Sequence, residues 1–409
     1  MSSTLKRLSA QGQQKRGFGL AVLSAAALSA CGGICDTNAN LPAAPVPAPP
    51  VPVPPTPVPT TPVPPAVRPA RFAYVPNAGL NSVSLYNVDA STGVLSASGV
   101  ADAAAGDYAY AVAVVSSGKF VYVVNQGSGA SAGSVSMYSA SAADGSLTAV
   151  APGTVAAGGR PYAIAIDPQS RFAYVANSLD NTVGMYTINP SSGLLVPVAA
   201  GGGVIATGAS PRAVTVHPNG LFAYVANLSS NSLSVYSIDQ STGALTAVGA
   251  PVPSLTQPFA VAVDAAGTYA YATNYGSSTV SVYSINASTG ALTAVAGSPS
   301  AAGTQAWSIA LEPSGKFAYV ANTGSDDLWV YGVAANGLLS QVGAPVATGV
   351  NPRSVVIDPT GQFVYLANSG SGHLSAYKIN TVNGTLTALP GSPLAGARPI
   401  AIAVSAGTV

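Results

Sequence analysis

From residue 71 onward one short unit recurs seven times: an apolar pair, a tyrosine, a second small or apolar pair and an asparagine, as in Phe172-Ala173-Tyr174-Val175-Ala176-Asn177. The copies end at Asn77, Asn125, Asn177, Asn227, Asn274, Asn322 and Asn368, spaced 48, 52, 50, 47, 48 and 46 residues apart. A small polar loop follows each copy, then an alternating strand carrying Tyr86, Tyr138, Tyr186, Tyr236, Tyr283, Tyr331 or Tyr377 near its end. A tight turn with glycine and a further short strand complete the unit, as in Thr242-Gly243 and Ala244–Val248. Before each copy except the first lies an alanine-rich run such as Ala163–Ile166, apolar on both sides. Small side chains buried on two faces suit the innermost strand of a blade, where the strands crowd around one axis. Four short strands per repeat, with no 3.6-residue period after residue 70, predict a β-propeller and exclude a helical solenoid.

The two ends of the repeat region fix the number of blades. The first copy starts at Arg71 without an inner strand, and the chain finishes with Arg398-Pro-Ile-Ala-Ile-Ala-Val404, an inner strand without a blade. Pairing the two closes the ring and removes open sheet edges. The expected architecture is all-β: a seven-bladed propeller of four-stranded antiparallel blades over 71–409, closed in blade one by the C-terminal strand.

Residues 1–70 are of another kind. Lys6, Arg7, Lys15 and Arg16 precede an apolar run from Gly17 to Leu28. Twelve residues rise only about 18 Å as a helix, short of the roughly 30 Å hydrocarbon core. This is the form of a secretory signal. It ends in Leu28-Ser29-Ala30-Cys31, which resembles the lipobox of bacterial lipoproteins. That resemblance implies a signal peptide over 1–30, cleavage before Cys31, and lipid on its thiol as the partner contact with the membrane. Gly32, where an inner-membrane retention signal would carry Asp, implies the outer membrane; a secreted or periplasmic protein is the alternative. No role is assigned to Cys35. Within the tether predicted over 31–70, residues 42–69 are proline-rich and unable to form helix or sheet. Extended, those residues would reach roughly 85 Å.

Composition narrows the function. A net charge of +1 provides no electrostatic footprint for nucleic acid. The two cysteines, Cys31 and Cys35, both precede the repeats, so neither a disulfide nor a cysteine metal site lies inside them. Acid–base groups are scarce: Glu312 is the one glutamate, and His217 and His373 are the two histidines. No glycine-rich loop opens a helix and no cluster has metal-ligand spacing, so neither a cofactor nor a metal is expected.

The Tyr-Val-x-Asn units resemble the YVTN family of β-propellers and the related lactonase-type propellers, to which 6-phosphogluconolactonases belong. The resemblance covers 71–409 and implies the fold. Lactonase-type propellers place Arg-His at the start of an inner strand and a Glu just after a strand-ending Asn. Here the matching starts read Pro211-Arg212-Ala213 and Pro352-Arg353-Ser354, and the residues after the asparagines are Ala78, Gln126, Ser178, Leu228, Tyr275, Thr323 and Ser369. The cations are present; the His and Glu are not.

Aligned inner strands put one residue per blade at the top of the axial channel: Tyr110, Tyr162, Arg212, Phe259, Trp307, Arg353 and, in blade one, Ile400. Aromatic faces can stack on a sugar or peptide and arginine forks can hold a carboxylate or phosphate; equally, bulky side chains could simply plug the mouth. The main expectation is a lipid-anchored module that binds a sugar, peptide or protein ligand through this ring. The alternative is a rewired lactone hydrolase using Arg212 and Arg353 with His373 or Asp327, and the third possibility is an envelope scaffold. His217 and Glu312 occupy turn positions on the opposite face, and the strand-end asparagines are expected to be architectural.

Overall fold

A computed structural model of the chain describes residues 70–406 apart from 129–131, 393 and 397. The predicted leader, Cys31 and the proline-rich tether lie outside the described residues.

Seven antiparallel sheets follow one another in chain order. In blade four the inner strand Pro211–Val216 pairs with Phe222–Asn227, which pairs with Ser232–Ile238, in a continuous register from Phe222↔Ser237 to Asn227↔Ser232. The outer edge differs from the single strand expected. In six blades it is two short pieces on the same third strand, in blade four Leu245–Ala247 and Val252–Pro253. In blade four Pro251 and Pro253 carry no amide proton, and an interrupted edge is a poor template for pairing with another chain. Blade two alone has one outer strand, Leu147–Ala156.

The ring closes as the sequence predicts. Tyr74 pairs with Ala403, Ala73 with Val404 and Phe72 with Ser405. The regular inner strand is shorter than 398–404, covering Ala403–Ala406, with an isolated bridge between Asn77 and Pro399. Pro76 explains the gap: its carbonyl accepts from the Ile400 amide at 3.2 Å, but its nitrogen, facing the same strand, has no proton to give.

Apolar faces of neighbouring blades form the core. Between blades three and four, Tyr174, Val183 and Met185 pack on Val214, Val225 and Tyr236. Two tyrosine hydroxyls lock every interface except that between blades five and six, where the second-strand Tyr271 has no partner among the described residues. The second-strand tyrosine donates to the hairpin glycine carbonyl of the next blade: Tyr122 to Gly193 at 2.8 Å, Tyr174 to Gly243 at 3.0 Å and, across the closure, Tyr365 to Gly93 at 2.9 Å. The third-strand tyrosine donates backwards, as Tyr236 does to the Ala206 carbonyl at 2.8 Å. The first residue of each unit lies flat on the next hairpin glycine. A Cβ on Gly243 would stand 2.4 Å from the Phe172 ring, and the φ of that glycine is +77°, so two independent constraints exclude a side chain there.

The strand-end asparagines are architectural. Asn227 is fully buried and its Nδ2 donates to Ser232 at 3.3 Å and Ser234 at 2.9 Å. His217 and Glu312 fold into turns on the face opposite the loops that follow the asparagines: His217 Nε2 lies 2.9 Å from the Gly267 carbonyl, and Glu312 accepts from the Ser314 amide.

Candidate functional site

Each residue predicted at the channel mouth sits at an interruption of the inner ladder. In blade four Pro211 pairs with Asn227 and Ala213 with Ala226, so Arg212 is the unpaired extra residue of a β-bulge. The same shift isolates Tyr110, Tyr162, Phe259, Trp307 and Arg353. A bulge turns a side chain away from the regular alternation, and here all six turn towards one opening.

The six side chains form a chain of contacts around that opening. Tyr110 and Tyr162 meet edge to face with ring centres 4.8 Å apart. The Arg212 guanidinium lies 3.8 Å from the centre of the Tyr162 ring and 5.9 Å from that of Phe259. Phe259 and Trp307 are 3.8 Å apart, and the Arg353 guanidinium is 5.0 Å from the Trp307 ring. Ile400 and Ala78 pack against Tyr110. Above the alanine-rich strands they line a cavity of about 170 Å³, so the ring does not plug the channel completely.

Two features of this ring are chemically unusual. The Nε atoms of Arg212 and Arg353 are buried and have no hydrogen-bond partner among the described residues, although a buried polar donor is ordinarily satisfied. Burial pushes the Tyr110 phenol well above its ordinary value; Tyr162 adds to the rise, and the charges of Arg353 and Arg212 oppose it. The charges of both arginines therefore bear on the Tyr110 hydroxyl.

The two remaining candidates are not part of the ring. His373 begins the third strand of blade seven, pairing with Asn368 and Ala395, rather than reaching the channel. Asp327 has the equivalent place in blade six. Both fill the slot of Ser232, as partner to the strand-end asparagine: Asn322 Nδ2 donates to Asp327 at 2.8 Å, and Asn368 Nδ2 lies 3.1 Å from His373 Nδ1. Asp326, its neighbour, holds the next blade by accepting from the Asn351 amide at 2.7 Å. Neither His373 nor Asp327 lines the mouth cavity. No carboxylate or imidazole is among the described residues lining the cavity, and no group of three potential metal ligands occurs among the described residues.

A second, larger cavity of about 620 Å³ opens beside the mouth, over blades two and three, bounded by Asn81, Asp107, Tyr108, Gln126, Arg160 and Leu179. The repeat alignment gave no sign of it, because its residues come from loops of three consecutive blades.

A closed seven-blade ring thus gathers six bulky side chains at one mouth of its axial channel. The family model "Lactonase, 7-bladed beta-propeller" matches residues 66–204, 133–303 and 260–403, and the chain belongs to that family. Among solved structures it is similar to a protein of Bacteroides uniformis assigned as a 6-phosphogluconolactonase, with a TM-score of 0.73 and 20% identity over 82% of this chain and 99% of that one. The periplasmic gluconolactonase of Pseudomonas aeruginosa gives a TM-score of 0.71 and 22% identity, again over 82% and 99%. No curated protein matches the chain significantly.

Proposed function

We propose that the channel mouth binds the lactone of a sugar acid and promotes its opening by water. The observation that carries this reading is the pair of arginines whose buried Nε donors lack partners beside aromatic faces. Membership of the lactonase family, and likeness to gluconolactonase-type propellers, supports the substrate class.

The chemistry follows from the groups present. Hydroxide adds to the lactone carbonyl carbon, and the C=O electron pair moves onto oxygen. Arg212 and Arg353 offset that charge, with Tyr110 donating to it; such preorganised donors are worth about 10²–10³ in rate. The ring C–O bond then breaks, its oxygen takes a proton from water, and a hydroxy acid results whose carboxylate suits the same two cations. Without a carboxylate or imidazole in the described lining, water is activated by charge alone. That same lack favours a second reading, in which the mouth binds a sugar acid or its lactone without turnover.

The test is hydrolysis of glucono-1,5-lactone and its 6-phosphate by the purified propeller, beside Arg212→Met and Arg353→Met. The hydrolase reading predicts turnover above the buffer rate, reduced about 100-fold in either variant. Turnover equal to buffer, with gluconate bound by calorimetry, leaves the second reading; neither turnover nor binding overturns both.

Location belongs to the same proposal. The basic start, short apolar run and Ala30-Cys31 junction support export and lipid attachment at Cys31, with the propeller in the cell envelope.

A further inference from the structure

The mouth cavity, at about 170 Å³, is smaller than the roughly 300–1,000 Å³ usual for ligand sites, whereas the neighbouring cavity of about 620 Å³ lies within that range. The two adjoin through consecutive aromatics: Tyr108 lines the larger cavity, Tyr110 lines the mouth, and their rings lie 6.4 Å apart at an interplanar angle of 16°.

Three side chains that line the larger cavity make no side-chain hydrogen bond among the described residues. Gln126 follows a strand-end asparagine. At the same place Thr323 and Ser369 donate to the Gln305 and Asn351 carbonyls at 3.2 Å and 3.1 Å. Gln126 instead is 5% exposed, and its Nε2 has no partner among the described residues. Tyr108 and Arg160 occupy the left-handed position before the inner strand, with φ of 59° and 50°, where blades four to seven carry Ser210, Gln257, Gln305 and Asn351. A tyrosine is poorly suited to that backbone region, yet Tyr108 is 41% exposed and supports no core. The Arg160 side chain is exposed, with no hydrogen bond among the described residues. Asp107, on the same wall, accepts from Asn81 at 3.2 Å and Ser128 at 3.0 Å.

One carboxylate and one guanidinium balance in charge, which disfavours a second anion. Acceptors, donors and an exposed aromatic face on one wall match the hydroxyls and apolar face of a neutral sugar. We propose that this cavity is a glycosyl subsite, so that the favoured ligand is a sugar-acid lactone carrying a further neutral sugar unit, bound across Tyr110 and Tyr108. The lactone end of this ligand rests on the reading given above; the glycosyl end does not.

The experiment measures calorimetric affinity for glucono-1,5-lactone, cellobiono-1,5-lactone, maltobiono-1,5-lactone, cellobiose and maltose. It compares the intact propeller with Tyr108→Gly and Arg160→Gly, substitutions that suit the positive φ and keep the fold, as the unfolding midpoint checks. The expected result is that one disaccharide lactone binds at least about tenfold more tightly than gluconolactone, an advantage lost in both variants while gluconolactone affinity is unchanged. If no lactone binds, but a neutral disaccharide does and loses affinity in both variants, the subsite stands and the lactone reading falls. If no disaccharide exceeds gluconolactone, or the preference survives both substitutions, the subsite is overturned.

Discussion

The Arg212 guanidinium carbon stands 3.8 Å from the centre of the Tyr162 ring, close enough for a cation–π contact, while its Nε is buried without a partner. The aromatic ring holds the cation in place without consuming its hydrogen-bonding capacity. Arg212→Met keeps the apolar stem and removes the charge, so the expected result is a loss of gluconate affinity of about 10- to 100-fold. Calorimetry reads the affinity, and an unchanged unfolding midpoint separates this from loss of fold.

Any hydrolysis should lack the bell-shaped pH profile of an enzyme with a side-chain acid and base. No carboxylate or imidazole is among the described lining residues, and burial holds the Tyr110 phenol protonated well into the alkaline range. Subtracting the buffer reaction, the enzymatic rate should rise with hydroxide across pH 5 to 8, with no plateau on the neutral side. A plateau near neutrality would reveal a titrating base outside this account.

Blade six tests the tyrosine locks. Its hairpin is one residue shorter than that of blade four, pairing Tyr331 with Gln341 where Tyr236 pairs with Ala247. Tyr271 consequently loses its glycine carbonyl and is buried with no partner, while Tyr269, in the place of the usual Phe, donates to the Ala335 carbonyl at 3.2 Å. Tyr174→Phe is expected to cost about 1 kcal/mol, whereas Tyr271→Phe should be neutral or stabilising. Urea denaturation of the two variants checks the contrast.

Gly243→Ala forces both a left-handed alanine and a collision with Phe172. A loss of about 1–3 kcal/mol is expected by the same measurement.

His373 confers a pH dependence on the fold. Desolvation lowers its pKa from 6.5, and its Nδ1 faces the Asn368 amide nitrogen, a donor that a neutral ring can accept from. With the folded pKa depressed, an unfolded chain binds the proton more readily, so this contribution is complete above pH 6.5 and declines as pH falls below it. His373→Ser, which restores the hydroxyl side chain that blades one to five carry at this place, should flatten the fall in melting temperature between pH 7 and 5.

The seven sheets were legible because the repeat is strict: two Tyr, one Asn and one hairpin Gly hold fixed places in every blade, and Ala403–Ala406 supplies the missing strand. The mouth residues were legible as well, since counting along aligned inner strands finds Arg212 and Trp307 without knowledge of the bulge that turns them. Pairings made across blades were not. Nothing local announces that Phe172 lies on Gly243, or that His373 and Asp327 stand in for a serine or threonine. Their chemistry suggested catalysis, while the slot they share makes them partners of asparagines. The larger cavity escaped because Asp107, Gln126 and Arg160 belong to no single repeated position.

The most direct test is a crystal structure of the propeller with gluconate. The account predicts its carboxylate between Arg212 and Arg353, within reach of the Tyr110 hydroxyl, and its carbon chain against Phe259 and Trp307. Gluconate bound elsewhere, or a mouth that stays empty at saturating ligand with both arginines in place, would contradict it.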